Sequence, residues 1–317
     1  MEFKINFSGT GHRYTKEEIA VVVEAMQNAD PLTQGKHRDA FEKKFCEYNG
    51  NKYAFSLCNA TAALELAAQM CLFKEDDELI APSHTFTSSV YPFIKKGAKV
   101  VWADIDLDTR VVTLESIKKC VTSKTKAIVV VHLYGFIIPD IQQIADFANK
   151  NNILLIEDVA QAMGTSIDGK KAGTFGDFGI FSFHSHKNIT TLGEGGMLTV
   201  KEKKYADIIP MLRHNGHCGF DYERKHYWQP AMGNLDLPSL DGENLLPNNY
   251  CLGEVECALG AKLLDRIDEM NAQKRERAVK FIEALKEFDD LVFHKVDDDR
   301  HNYHLLVAYV KNGKRDE

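Results

Sequence analysis

Ala127-Ile-Val-Val-Val-His132 and Ile153-Leu-Leu-Ile-Glu-Asp158 are the stretches that decide the fold. Each is a short apolar run, the first of them apolar on both faces, which is the pattern of strands buried in a parallel sheet. Working outward, β-rich runs predict further strands at Tyr53–Leu57, Glu78–Ala81, Ala98–Ala103, Gly179–Phe183 and Met197–Val200. Helical patterns fall between them, for example Thr61–Met70 and Ile141–Asn149. This alternation predicts an α/β layer, a mostly parallel seven-stranded sheet flanked by helices. Ligands of such sheets gather at the carboxyl ends of the strands, where His132, Asp158 and the loop holding Lys187 fall.

Two helical patterns, Thr15–Ala29 and His37–Tyr48, precede the sheet, and Tyr205–Arg213 follows it. An irregular stretch from Asn215 to Asn249 contains Tyr222, Tyr227 and Trp228, and its aromatics suggest a packed, partner-facing loop. Beyond it, Leu252, Val255, Leu259, Leu263, Ile267 and Met270 recur at helical spacing and predict one long, core-facing helix. Tyr303–Val310 is expected to be a strand. The predicted organisation is a large α/β domain over 1–250 with an N-terminal helical segment, and a long helix opening a smaller C-terminal α/β unit over 251–317.

With 317 residues, 44% of them apolar, the chain can bury a sizeable core. A net charge of −7 and the lack of any basic block argue against nucleic acid as a partner. No apolar run approaches the roughly 20 residues of a membrane span, so no membrane partner is expected. The seven cysteines are scattered, odd in number and contain no C-x-x-C, which favours a reducing cytoplasm over a disulfide framework or zinc site.

The chemistry concentrates around Phe181-Ser-Phe-His-Ser-His-Lys187 and the glycines Gly193, Gly195 and Gly196 that follow. A lysine in a loop between apolar runs can form a Schiff base with an aldehyde. Asp158, ending a buried strand, needs a cationic partner, and a protonated pyridine nitrogen would be one. An amine for the aldehyde and a carboxylate for the ring nitrogen are the pair that pyridoxal phosphate requires. Asn59-Ala-Thr-Ala-Ala-Leu64 reads as a capped helix start whose small residues leave the first amides open to an anion. Phe86 follows a strand end, where an aromatic can stack on a planar ring. Ser182 lies on the strand leading to Lys187, within reach of a cofactor phosphate. The glycine spacing of Gly173-Thr-Phe-Gly-Asp-Phe-Gly179 is wrong for a dinucleotide fingerprint, and His184 with His186 lacks the company a metal needs, so no metal is expected.

Taken together these residues resemble the DegT/DnrJ/EryC1/StrS family of fold-type-I, pyridoxal-phosphate-dependent sugar aminotransferases, through nearly the whole chain. Asn59-Ala-Thr-Ala-Ala-Leu64 stands at the family's phosphate-binding turn, usually Gly-Thr-Ala-Ala-Leu, so Asn59, Ala60 and Thr61 map onto cofactor contacts. Glu157-Asp-Val-Ala-Gln-Ala162 matches the Glu-Asp-Ala-Ala-Gln block, in which the Asp holds the pyridine nitrogen and the Gln, here Gln161, lies against the ring. The Schiff-base lysine maps onto Lys187. Asn249-Tyr-Cys-Leu-Gly-Glu254 resembles the family's Asn-Tyr-Arg-Leu-Ser-Glu. The resemblance implies that Asn249 approaches the cofactor phosphate of a neighbouring subunit in a homodimer with shared active sites.

The resemblance further implies amino transfer from an amino acid, with glutamate expected, to a keto-sugar, expected to be nucleotide-linked, in polysaccharide or deoxysugar biosynthesis. Cys251 in place of an arginine, Phe136 in place of a Gln or His, and the long 215–249 loop bear on the substrate rather than the chemistry. The chain also ends where family members usually continue, so a partial C-terminal unit is expected. Two alternatives stand beside this reading. One is a sugar 3-dehydratase of the same family, in which a histidine replaces the lysine, a point raised by His186. The other is a non-catalytic regulatory homologue, whose mark would be a missing Asp or Lys.

Overall fold

All seven expected strands are present in the computed structural model, which describes residues 13–217 and 236–316. They are β1 (Tyr53–Leu57), β2 (Glu78–Pro82), β3 (Lys99–Ala103), β4 (Thr125–Val131), β5 (Leu154–Asp158), β8 (Phe178–Ser182) and β9 (Gly196–Val200). A small hairpin, β6 (Ser166–Ile167) and β7 (Lys170–Lys171), lies between β5 and β8. The sheet order is β1-β9-β8-β5-β4-β2-β3. Strands β3, β2, β4, β5 and β8 run parallel, while β9 pairs antiparallel with both β8 and β1.

That one reversal positions the lysine. Parallel neighbours need a long crossover, whereas antiparallel ones are joined directly. The loop 183–195 therefore folds back at the carboxyl end of β8, beside the end of β5 where Asp158 sits. Backbone bonds lace it shut: Phe183 N–H donates to Gly195 O at 2.8 Å and Ser185 N–H to Gly193 O at 2.9 Å.

Helices α1 (Lys16–Asn28), α2 (Lys36–Asn49), α3 (Ala60–Met70), α4 (Tyr91–Lys95), α5 (Leu114–Lys118), α6 (Ile141–Lys150) and α7 (Lys203–Arg213) accompany the sheet. The α2 rings Phe41 and Phe45 are fully buried against Phe183 and Phe181, with Phe45 and Phe181 centroids 4.8 Å apart. Helix α2 starts at Gly35, which has no side chain to cap the first amides. Glu254, 1% exposed at the start of α8 (Glu254–Leu263), does so instead. Its carboxylate accepts from the N–H groups of Gly35 (2.8 Å), His37 (2.8 Å) and Arg38 (3.3 Å).

The single long helix expected from the Leu252–Met270 stripe is two helices, α8 (Glu254–Leu263) and α9 (Ile267–Ala284). Arg266, at φ −130°, leaves helical geometry, and its guanidinium donates to Glu18 at 2.9 Å and to Arg13 O at 3.1 Å, turning the chain between them. Within the expected 303–310 strand only β13 (Ala308–Val310) pairs, with β12 (Leu291–Phe293). Tyr303 departs from it at φ 49°, its ring stacked on His301 at 3.9 Å and its hydroxyl bonded to Val296 N and O. In the 215–249 stretch, Tyr222, Tyr227 and Trp228 fall outside the described residues. The part beyond carries a short hairpin, β10 (Ser239–Leu240) and β11 (Glu243–Asn244). Among the described residues no helix is long and apolar enough to cross a membrane.

Candidate active site

A cavity of about 710 Å³ opens at the carboxyl ends of β5 and β8. Seven of the nine site residues expected from the sequence line it: Asn59, Ala60, Thr61, Phe86, Asp158, Ser182 and Lys187.

Asn59 is extended, at φ −168°, and its Oδ1 accepts from Ala62 N–H at 2.8 Å, so it caps α3 as the sequence suggests. Ala60 and Thr61, the first residues of α3, line the same cavity, and a helix N-terminus suits an anion. The backbone of β9 presses against this turn. A Cβ on Gly196 would meet Asn59 C at 2.4 Å and Ala60 N at 2.6 Å, so only glycine fits. Gly195 is held as firmly, since a Cβ there would meet Thr191 Oγ1 at 2.1 Å.

Asp158 is 5% exposed. Ser89 Oγ donates to its Oδ2 at 2.7 Å and Ala160 N–H to its Oδ1 at 3.0 Å, with Thr85 Oγ1 donating to Ser89 Oγ at 3.0 Å. Both oxygens accept, which fixes the direction of the side chain. Burial pushes the Lys187 amine below the ordinary lysine value, while the Asp158 charge opposes that shift. The two residues thus share one electrostatic site. Ser182 is 7% exposed at the end of β8, and Phe86 is 64% exposed at the mouth.

The neighbouring carboxylate does something else. Glu157 is wholly buried: its Oε1 accepts from Phe175 N–H and Gly176 N–H at 2.7 Å each, and its Oε2 from Gly173 N–H at 2.9 Å and His132 Nε2 at 3.0 Å. Ile138 N–H donates to His132 Nδ1 at 3.1 Å, so the His132 proton is on Nε2. His132 is therefore part of the interior and not of the cavity, although its strand position suggested otherwise.

Gln161 is not among the cavity-lining residues; its Oε1 accepts from Tyr134 N–H at 2.6 Å. Asn249 also lies outside this cavity, exposed and bridged to His214 through its backbone. Of the two departures, Phe136 is 3% exposed and packs edge-on against His294 at 4.5 Å, and Cys251 Sγ faces Arg213 O at 3.3 Å. Neither reaches the cavity. Among the described residues no group of His, Cys, Asp or Glu is arranged to hold a metal.

Sequence reasoning missed Glu194, Lys274 and His304, which also line the cavity. Burial pushes the His304 imidazole down to about 3, with the Lys187, Lys274 and His186 charges adding to the effect. His304 has no signal in the linear sequence. Lys274 has one: it shares a helical face with Asn271 and Ala278, 5% and 6% exposed, where an apolar residue is expected.

The profile of the DegT/DnrJ/EryC1/StrS aminotransferase family matches residues 13–317. The chain is 37% identical over 271 residues to a GDP-perosamine synthase of Caulobacter vibrioides, covering 86% of this chain and 67% of that one. It is 35% identical over 246 residues to a GDP-perosamine synthase of Vibrio cholerae, covering 78% and 62%. Its fold matches that of the aminotransferase TlmJ of Streptoalloteichus hindustanus with a TM-score of 0.86 at 25% identity, covering 98% of this chain and 80% of that one. The chain spans between about three fifths and two thirds of the length of these curated relatives. The chain belongs to the DegT/DnrJ/EryC1/StrS aminotransferase family, and its sheet is that of the fold-type-I architecture.

Proposed function

We propose that this protein is a pyridoxal-phosphate-dependent aminotransferase that moves an amino group from an amino acid, glutamate by preference, to the keto group of a nucleotide-linked sugar. The observation that carries the reading is one cavity holding Lys187, with its amine depressed by burial, and Asp158, with both oxygens already accepting and its direction fixed. The residues fit the cofactor. The α3 turn braced by Gly196 offers amides of Ala60 and Thr61 for the phosphate, Ser182 adds a hydroxyl, Phe86 can cover a ring face, and Asp158 can hold a proton on the ring nitrogen.

Pyridoxal phosphate, when bound there, supplies the electron sink that stabilises a carbanion at the substrate carbon. Lys187 does the rest of the acid–base work. A depressed amine is in its neutral form at lower pH, so it can take the proton from the donor carbon and deliver one to the acceptor. The similarity to two GDP-perosamine synthases supports a GDP-linked keto-sugar as acceptor, and a place in polysaccharide synthesis is part of the proposal. The exposure of Asn249 outside its own cavity suits a contact with a second copy, and a homodimer is part of the proposal. A cytoplasmic setting accompanies it, supported by six unpaired cysteines among the described residues.

The test is the visible spectrum of the purified protein with pyridoxal phosphate before and after borohydride, with peptide mapping, and the same for Lys187→Ala. A reducible adduct on Lys187, and glutamate-dependent release of 2-oxoglutarate with a GDP-linked keto-sugar, are expected. No adduct at Lys187 in the wild type would end the proposal. A deoxygenated sugar without an amine as product would favour the dehydratase alternative instead.

A further inference from the structure

Lys274 lines the same cavity as Lys187 and Asp158 and comes to it from α9. Among the described residues its Nζ finds one acceptor, Asn188 Oδ1 at 3.2 Å, although an ammonium carries three donors. The acceptor is itself fixed. Asn188 is 3% exposed and donates through Nδ2 to Asn271 Oδ1 at 2.6 Å, and Asn271 donates to Met163 O at 3.0 Å. The amine is thus held in place by a buried relay rather than by a countercharge. Burial pushes it down to about 8, and its charged neighbour on the same helix is another cation, Arg277. A half-buried ammonium without a carboxylate partner is costly unless an anion arrives.

Among the described residues, neither of the cavity's own carboxylates is paired with Lys274. Asp158 is bound by Ser89 and Ala160, and Glu194 lies 3.8 Å from His184. We propose that Lys274 is a substrate-positioning residue that receives the α-carboxylate of the amino donor. Resting on the function proposed above, this assigns a place to the donor's charge. Proximity decides between anions. Lys274 is bonded to Asn188, the residue next to Lys187, and the α-carboxylate is attached to the very carbon at which Lys187 works. The diphosphate of a sugar nucleotide lies a whole sugar ring away from the reacting carbonyl. His304, neutral and lining the same cavity, can donate one further hydrogen bond to the carboxylate.

The test separates the two half-reactions of the holoenzyme. In Lys274→Met, the apparent Kd for glutamate in the first half-reaction should rise on the order of ten- to a hundred-fold. The affinity for the keto-sugar nucleotide in the second half-reaction and the borohydride-reducible adduct on Lys187 should be unchanged, and Lys274→Arg should restore most of the loss. A glutamate Kd within twofold of wild type, or a loss confined to the sugar-nucleotide half, overturns the proposal. Absence of the Lys187 adduct in the wild type would instead sink the functional reading itself.

Should Lys274→Met not fold, wild-type holoenzyme gives the same answer with glutarate as the probe. Its inhibition should weaken as pH rises through about 8, where Lys274 loses its charge. The groups that act electrostatically with the amine are Arg277 on α9 and His304 on the C-terminal segment, and His304 in turn feels His186 and Lys187 on the lysine loop. His304, held near 3 by burial, stays neutral across that range, and Lys187 is engaged with cofactor in the holoenzyme. Glutarate inhibition that is flat between pH 7 and 9 would overturn the assignment.

Discussion

Replacing Glu157 by glutamine tests how the two adjacent carboxylates of β5 divide their work. The wild-type carboxylate accepts four hydrogen bonds in a site with no solvent exposure, from Gly173, Phe175, Gly176 and His132. A glutamine keeps one accepting oxygen, enough for two of these donors. Its amide would face the other two. If it faces Gly173 N–H, two donors oppose each other and that backbone group loses its acceptor. His132 could accept from the amide only by moving its proton to Nδ1, which would confront Ile138 N–H.

At least one buried N–H is therefore orphaned, costing about 1–3 kcal/mol, and the bonds that remain lose their charge assistance, worth roughly another 1–2 kcal/mol. The expected loss is about 2–5 kcal/mol, or roughly 3–8 °C in Tm. Urea denaturation followed by circular dichroism measures the first and calorimetry the second. Asp158→Asn is the matched control. Its two donors can both be met by rotating one retained oxygen or by Ser89 reorienting, so its stability should fall by only about 1 kcal/mol while cofactor binding and turnover collapse. Equal destabilisation by both substitutions, or a Glu157→Gln protein within about 1 kcal/mol of wild type, would refute the division.

Two further outcomes follow from the same site. Gly196→Ala must push β9 away from the α3 turn, because the added carbon would sit 2.4 Å from Asn59 C and 2.6 Å from Ala60 N. A loss of about 1–3 kcal/mol in a thermal melt is expected, together with weaker binding of pyridoxal phosphate than of pyridoxal; unaltered phosphate discrimination would count against the anion role of that turn. In the apo-protein, acylation of Lys187 by an amine-selective reagent should rise with pH through a midpoint below the ordinary lysine value, since only the neutral amine reacts. Asp158→Asn removes the charge that holds that midpoint up, so the profile should move to lower pH; a move to higher pH would contradict the electrostatics described.

Much of this fold was legible because a buried parallel strand advertises itself. Runs such as Ala127–Val131 are apolar regardless of which face is considered, and their ends fall within one or two residues of the expected ones. The reversal of β9 was not legible, since direction depends on the loop that joins it to β8 and not on the run itself. Nor was the break between α8 and α9: both helices show their apolar stripe to one core, so the period passes unbroken through Leu264–Arg266 while the ion pair to Glu18 turns the chain. Asp158 and Lys187 could be chosen from sequence because charge at the end of an apolar strand and an amine beside glycines are chemically conspicuous. Lys274 and His304 reach the same cavity from segments distant in sequence, and only tertiary packing brings them there.

The placement of Glu157 beside Asp158 has a consequence for how the protein is made. Successive residues of a strand point to opposite sides, so a slip of one position in the pairing of β5 with β4 and β8 would exchange the two carboxylates. Aspartate, one methylene shorter, could not span to the amides of 173–176 and His132 together, and the interior of such a chain would be left with unanswered donors. Misregistered molecules would thus be unstable as well as inactive, open to proteolysis and chaperone rebinding. Folding acts here as a proofreading step: a molecule that has closed its interior correctly has, by that act, already aimed its aspartate.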